Sequence, residues 1–129
     1  ERTGLFDECY FMYFEDADFC RRVRRDGFAI WCVPGARMWH KVSRSARRDR
    51  PGNRYALSWG RAHFYRHHPH GALPGLTYLY LLLKMGWMTV QDALRGDWHL
   101  LRPLWQGTLD GYALRPSRRH TFAKAQTGN

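Results

Sequence analysis

The chain has 129 residues, which is enough for one domain with a hydrophobic core and too few for two such domains. Lys and Arg outnumber Asp and Glu by 21 to 11, which gives a formal net charge of +10. This excess favours an anionic partner and leaves open whether that partner is a nucleic acid, a phospholipid surface or a phosphate-bearing substrate.

The first residues and the cysteines indicate a fragment of a cytosolic protein. Glu1 begins the chain without an initiator Met or an apolar signal segment, so we expect it to be a piece of a longer protein. Cys9, Cys20 and Cys32 form no C-x-x-C pair, and Cys20 and Cys32 fall in patterns where small buried thiols are common. We therefore expect reduced, structural thiols.

An aromatic lead-in over residues 5–14 precedes an acidic cluster that opens a helix. Glu15 or Asp16 can cap this helix, one face carries small and apolar residues, and Gly27 is a natural stop. Arginines at positions 21, 22, 24 and 25 fill the other face and the last turn, where cations are favoured. The pattern predicts a helix over residues 16–26.

Two strands are expected to follow the helix. Residues 28–33 are apolar at every position, which is typical of an interior strand covered on both sides. Pro34 and Gly35 interrupt the pattern, and residues 36–40 resume an extended segment that ends at His40. Short strands followed by helical patterns predict the α/β fold class.

The rest of the sequence predicts helices joined by basic segments. Residues 41–53 predict a basic, mobile loop punctuated by Pro51 and Gly52, and residues 54–68 predict a helix that stops before Pro69. His67, His68 and His70 at that stop are expected to be exposed to water.

The most apolar stretch, residues 73–90, is interrupted by Lys84 and falls below the length of a spanning helix, so a buried or membrane-surface helix is expected there. Residues 89–92 match a capping box that would start a new helix. Beyond it, apolar residues from Leu94 to Tyr112 form one seam, with breaks or kinks at Gly96-Asp97 and Pro103.

Three short segments resemble the C-terminal part of family 2 glycosyltransferases of the GT-A fold, with bacterial rhamnosyltransferase-like members the most similar. The segments are GLFDE at residues 4–8, YFEDADFCRR at residues 13–22 and VPGARMWH at residues 33–40. The resemblance is strong over about the first 40 residues and looser through residues 54–69. It implies an acceptor and catalytic half of a GT-A domain at residues 1–70. Beyond it, the residue patterns predict a helical extension at 71–115 and a basic, disordered tail at 116–129.

The resemblance also implies roles for individual residues. The family inverts the anomeric centre, and its Glu-Asp pair carries the catalytic base, which corresponds to Asp16 with Glu15 as an orienting neighbour. A carboxylate in this role takes the proton of the acceptor hydroxyl as that hydroxyl attacks the anomeric carbon. His40 corresponds to a ligand of the divalent ion, Mn²⁺ or Mg²⁺, which neutralises charge on the departing nucleotide diphosphate.

Trp39, Arg61 and Asp18 are the expected substrate-binding residues, and simpler interpretations exist for Asp18 and Arg61. Asp16 and Asp18 spell D-x-D, but they open an amphipathic helix instead of following an apolar strand, so the metal-binding D-x-D is expected elsewhere. Asp16 and Asp18 also fit the role of first-turn acids of a helix. His40 also fits a structural role, and Arg61 fits either a diphosphate contact or a solvated helix face.

These observations predict an inverting glycosyltransferase of cell-envelope polysaccharide synthesis. It would transfer sugar from a nucleotide-diphosphate sugar to a glycan or lipid-linked acceptor, in the cytoplasm and peripherally on the inner face of the plasma membrane. The fragment alone is expected to be inactive. The alternative is a basic module that binds nucleic acid or an anionic membrane without catalysis; a nucleic-acid partner is not expected, because the aromatic residues lie at core spacing.

Overall fold

The computed structural model describes residues 3–39, 49–68, 74–115 and 117, and this part of the chain is helical. Four α-helices and one 3₁₀ turn follow in order: α1 (Glu15–Arg25), α2 (Arg50–His67), α3 (Pro74–Leu94), the turn Trp98–Leu100 and α4 (Leu101–Tyr112). Residues 116 and 118–129, which include most of the predicted tail, lie outside the described residues, as do residues 69–73 at the predicted boundary near 70.

The predicted α/β fold, as a portion of a GT-A domain, is wrong, because the described residues contain no β-strand. Residues 28–33 and 36–39 are irregular and exposed, and 84 % of the Trp31 surface is accessible. A strand is stable only when its backbone pairs with a neighbour, and no neighbouring strand exists among the described residues. The apolar composition of residues 28–33 therefore does not mark an interior strand here.

Close packing of α2 against α4 forms the centre of the fold. Gly107 and Gly111 lie one turn apart on α4, and a Cβ atom at Gly107 would stand 2.5 Å from the carbonyl oxygen of Tyr55. At Gly111 the same atom would collide with the carbonyl of Trp59. Glycine is therefore required at both positions, because only hydrogen atoms fit between the two backbones. Tyr55 and Leu104 are completely buried in this contact.

Two ion pairs attach α3 and the segment before the 3₁₀ turn to α2. Arg54 Nη2 lies 2.6 Å from Oδ1 of Asp92, an α3 residue that is 2 % exposed. Arg50 donates both terminal nitrogens to the carboxylate of Asp97, at 2.6 and 3.1 Å, just before the 3₁₀ turn. The two arginines stand one turn apart, so one edge of α2 holds both ends of the α3-to-α4 connection.

Helices α2 and α3 do not have the predicted limits. Asp49 accepts a hydrogen bond from the Gly52 backbone N–H at 2.8 Å, so the helix starts at Arg50, and Pro51 occupies a first-turn position where proline is favoured. The predicted capping box at residues 89–92 lies inside α3, where the Thr89 hydroxyl donates to the Met85 carbonyl at 2.9 Å. The sequence predicts a loop at Pro51 and a helix start at residues 89–92, but the Asp49 cap starts α2 before Pro51, and α3 continues through residues 89–92.

Candidate functional site

The start of α1 is held on α2 by the aromatic lead-in. Tyr13 and Phe14 both have positive φ angles, 70° and 69°, a conformation that residues other than glycine rarely adopt. A Cβ atom at Gly60 of α2 would lie 3.1 Å from the Tyr13 carbonyl oxygen and 3.1 Å from the Phe14 ring, so the lead-in crosses α2 at a glycine. Packing on α2 thus maintains a strained turn immediately before the acidic cluster.

Arg22 ties the lead-in to α1. Its Nη1 and Nη2 groups donate to the carbonyl oxygens of Thr3 and Leu5, at 2.6 and 2.8 Å. Its Nε donates to Oδ2 of Asp18 at 2.8 Å, one turn earlier on the same helix. A single guanidinium group therefore fixes the chain on both sides of residues 10–14.

Asp18 is a buried structural partner that joins α1 to the end of α2. Only 4 % of Asp18 is exposed, and its second oxygen, Oδ1, lies 2.7 Å from Nε2 of His68. A carboxylate can only accept, so the His68 Nε2 carries the proton in this bond. Both oxygens of Asp18 are thus occupied by groups of the protein.

His68 is a site residue that sequence reasoning misplaced. It was expected in a water-exposed cluster, yet 12 % of its side chain is accessible, and its ring lies 5.0 Å from that of Phe64. Its partner Asp18 is 50 residues away in the chain, and no local pattern signals a contact at that separation.

Asp16, unlike the buried Asp18, lies at the surface. It is exposed in the first turn of α1, and Oδ1 accepts a 2.7 Å hydrogen bond from the backbone N–H of Ala17. Among the described residues no cation pairs with it. Its neighbour Glu15 is half-buried and has one buried oxygen, Oε2, for which the described residues supply no donor. The acidic cluster is therefore divided into one accessible carboxylate and two that face the protein.

Trp39 and Arg61 are the other predicted site residues that the structure describes. Trp39 is fully exposed in the irregular segment after α1, and His40 lies outside the described residues. Arg61 is on α2 and donates to Sδ of Met88 on α3 at 3.3 Å; burial lowers the pKa of its guanidinium group. In the described ranges no group of three or more His, Cys, Asp or Glu side chains is placed to hold a metal ion.

A cysteine and a histidine meet where the lead-in packs on α2. The cysteine thiol is not an activated nucleophile. Sγ of Cys9 lies 3.5 Å from Nε2 of His63, whose ring stacks on Trp59 at 4.4 Å. Burial and the neighbouring Asp7 raise the pKa of the Cys9 thiol to about 12, so this thiol stays protonated at neutral pH. Cys20 and Cys32, which were expected to be buried, are exposed because one lies on the outer face of α1 and the other in the irregular segment.

Comparisons with protein-family models, with curated proteins and with solved structures gave no match to this chain. The resemblance to family 2 glycosyltransferases therefore remains a hypothesis based on the short segments before residue 41.

Proposed function

We propose that this chain supplies the general base of an inverting sugar transfer, with Asp16 as that base. The acceptor hydroxyl would lose its proton to the Asp16 carboxylate while its oxygen attacks the anomeric carbon, and the nucleotide diphosphate would leave with the electrons of the broken bond. The nucleotide sugar is then the donor and a glycan or lipid-linked molecule the acceptor.

The observation that carries this proposal is the contrast between Asp16 and Asp18. A base must reach its substrate, and the exposed Asp16 has an accessible carboxylate with no cationic partner among the described residues. Asp18 is unsuited to that task, because Arg22 and His68 occupy both of its oxygens. The strained lead-in and the Arg22 contacts add support, since they fix the start of α1 on which Asp16 stands.

The described helices contain no Gly-rich phosphate loop, and no metal-ligand set is found among their residues. The Mn²⁺ or Mg²⁺ role of His40 and the substrate contacts of Trp39 and Arg61 remain predictions from the resemblance. The nucleotide would be held by residues outside these helices.

The test is transfer by the natural full-length protein with a panel of nucleotide sugars, for the wild type, Asp16→Asn and Glu8→Gln. Removal of a general base slows transfer by about 10²–10⁴-fold, so we expect this loss in Asp16→Asn with unchanged donor binding by calorimetry. Glu8→Gln, which removes one exposed acid from the lead-in, is the matched control and should keep wild-type turnover. Full transfer by Asp16→Asn would overturn the proposal.

A second candidate function, docking on an anionic membrane, is favoured by the outward face of α3. The helix has only two charged residues, of which Asp92 is buried and Lys84 half-buried. Its outward side chains are apolar and each is about half exposed or more: Leu76, Leu79, Tyr80, Leu82, Leu83, Trp87, Val90 and Leu94. No helix in the described ranges is long and apolar enough to cross a membrane.

An apolar helix face on a chain with a net charge of +10 suits the surface of an anionic bilayer. The two functions are compatible. Docking through α3 would put the protein in the cytoplasm on the inner face of the plasma membrane, beside a lipid-linked acceptor.

Vesicle flotation tests the docking proposal. We expect binding to phosphatidylglycerol vesicles and a loss of about 10–150-fold in affinity for Trp87→Glu, because the charge prevents burial of a side chain worth about 1.5–3 kcal/mol in lipid. Trp31→Glu makes the same change at a tryptophan outside α3 that is 84 % exposed, and it should float as the wild type does. Equal losses in the two variants would exclude α3 as the docking face.

A further inference from the structure

A basic groove lies between the second half of α1 and the end of α2. Three arginines of α1 face two consecutive histidines of α2 across a cavity of about 500 Å³: Arg21, Arg24 and Arg25 against His67 and His68. We call this surface the arginine groove. It is separate from the Asp16 end of α1, and its interpretation does not depend on sugar transfer.

Arg24 and Arg25 follow Arg21 by three and four residues, so both lie next to Arg21 on one side of α1. Like charges at this spacing repel one another, and the described residues compensate them poorly. The closest carboxylate is that of Asp26, 4.0 Å from Nε of an Arg25 side chain that is 72 % exposed. The buried Asp18 lies behind His68 and is already paired with Arg22. The groove thus carries uncompensated positive charge.

The helix dipole accounts for cations in the last turn of α1, but it acts all round the helix. It therefore does not explain why three guanidinium groups line one cavity while Arg22 turns away to bind Asp18 and the lead-in. Arginine is also the residue whose planar fork matches the oxygens of a phosphate.

We propose that the arginine groove binds the phosphate or diphosphate group of a small phosphorylated ligand. Arg21 to Arg25 cover a rise of roughly 6 Å, and a nucleic-acid strand places only about two phosphates in that length. Binding of nucleic acid generally takes more contacts than that, whereas a cavity of about 500 Å³ accommodates a phosphate ester with its attached group. Both a soluble phosphate ester and a lipid headgroup have this chemistry.

Calorimetric titration of the full chain with pyrophosphate and with inorganic phosphate, at about 0.15 M salt, is the test. We expect pyrophosphate to bind, and Arg24→Gln to weaken its binding about tenfold. Arg24→Lys, which keeps the charge and loses the fork, should lie between Arg24→Gln and the wild type. Arg95→Gln is the matched control, since it removes one exposed arginine after α3, and it should bind pyrophosphate as tightly as the wild type.

A second arm separates the two sources of phosphate. If the groove takes a lipid headgroup, Arg24→Gln also weakens binding to phosphatidylglycerol vesicles and pyrophosphate competes with them. If its ligand is soluble, vesicle binding is unchanged in Arg24→Gln while pyrophosphate binding is weakened about tenfold. Absence of pyrophosphate binding at millimolar concentration overturns the proposal, and so does an equal loss in Arg95→Gln, because that outcome reveals attraction by net charge alone.

Discussion

The contact between α2 and α4 makes a sharp prediction about two glycines. Gly107 lies in this contact, where an added Cβ atom would stand 2.5 Å from the Tyr55 carbonyl oxygen and 3.2 Å from Cβ of Ser58. Gly86 lies inside α3 with no atom within 4 Å of the same position. Substitution by alanine should therefore have opposite effects at the two sites.

The structure gives the magnitude. Ordinary contact begins near 3.4 Å, so Gly107→Ala forces the two backbones apart by almost 1 Å, and a backbone carbonyl cannot rotate away as a side chain can. Overpacking of this kind costs about 1–3 kcal/mol, and the better helix propensity of alanine returns up to about 1 kcal/mol. We expect Gly107→Ala to lose about 1–2 kcal/mol of unfolding free energy. Gly86→Ala should gain about 0.5–1 kcal/mol from helix propensity.

Urea unfolding and thermal melting followed by circular dichroism measure both changes. For a chain of this length 1 kcal/mol moves Tm by about 4 °C, so the two variants should melt on opposite sides of the wild type. If Gly107→Ala were as stable as Gly86→Ala, α2 and α4 would not pack as described, and the helical fold that replaces the predicted α/β fold would be refuted.

Two further predictions concern the acids and the buried histidine. Asp18→Asn should cost roughly 3 kcal/mol of unfolding free energy, because Arg22 and His68 lose a buried charged partner. The exposed Asp16 is the control, and Asp16→Asn should change the unfolding free energy by less than about 1 kcal/mol. Equal losses in urea unfolding would contradict the structural role of Asp18. Burial lowers the pKa of His63, so the unfolded chain binds a proton at this residue more readily than the folded chain, and wild-type stability should fall as pH drops below about 6.5. His63→Phe keeps a ring beside Trp59 and should show a smaller fall. An identical pH profile in urea unfolding would exclude His63 as the source of the pH dependence.

Local signals predicted the bounds of α1 well, but the predicted cap by Glu15 or Asp16 is wrong, because Phe14 precedes the helix and no side chain caps it. The acids of its first turn, the arginines of its last turn and Gly27 lie within a few residues of one another, and the observed helix Glu15–Arg25 differs from the prediction by one residue at each end. These signals act through the helix backbone itself, so the sequence contains them regardless of tertiary structure.

Signals that depend on distant partners failed. The apolar residues 28–33 satisfy a strand pattern, but a strand also needs a paired neighbour, and the part of the chain that the structure describes supplies none. The misplaced start of α2 has a local cause instead: Pro51 suits a first helical turn as well as a loop, and the nearby Asp49 cap decides between them.

The candidate site also combines local features that the sequence predicts with contacts between distant residues that it does not predict. Its acidic residues follow one another in sequence, so the cluster was found. The assignment of Asp18 to a buried pair depends on His68, which α2 brings back from 50 residues away. The arginine groove likewise needs the end of α2 to lie against α1. Neither juxtaposition has a sequence period that could reveal it.

The most direct measurement is transfer from nucleotide sugars by the natural full-length protein, with wild type, Asp16→Asn and Glu8→Gln compared under identical conditions. Asp16 as the base predicts turnover in the wild type and in Glu8→Gln, and a loss of about 10²–10⁴-fold in Asp16→Asn with donor binding intact. Turnover by Asp16→Asn at the wild-type rate, or no turnover of any nucleotide sugar by the wild type, would contradict the proposed function.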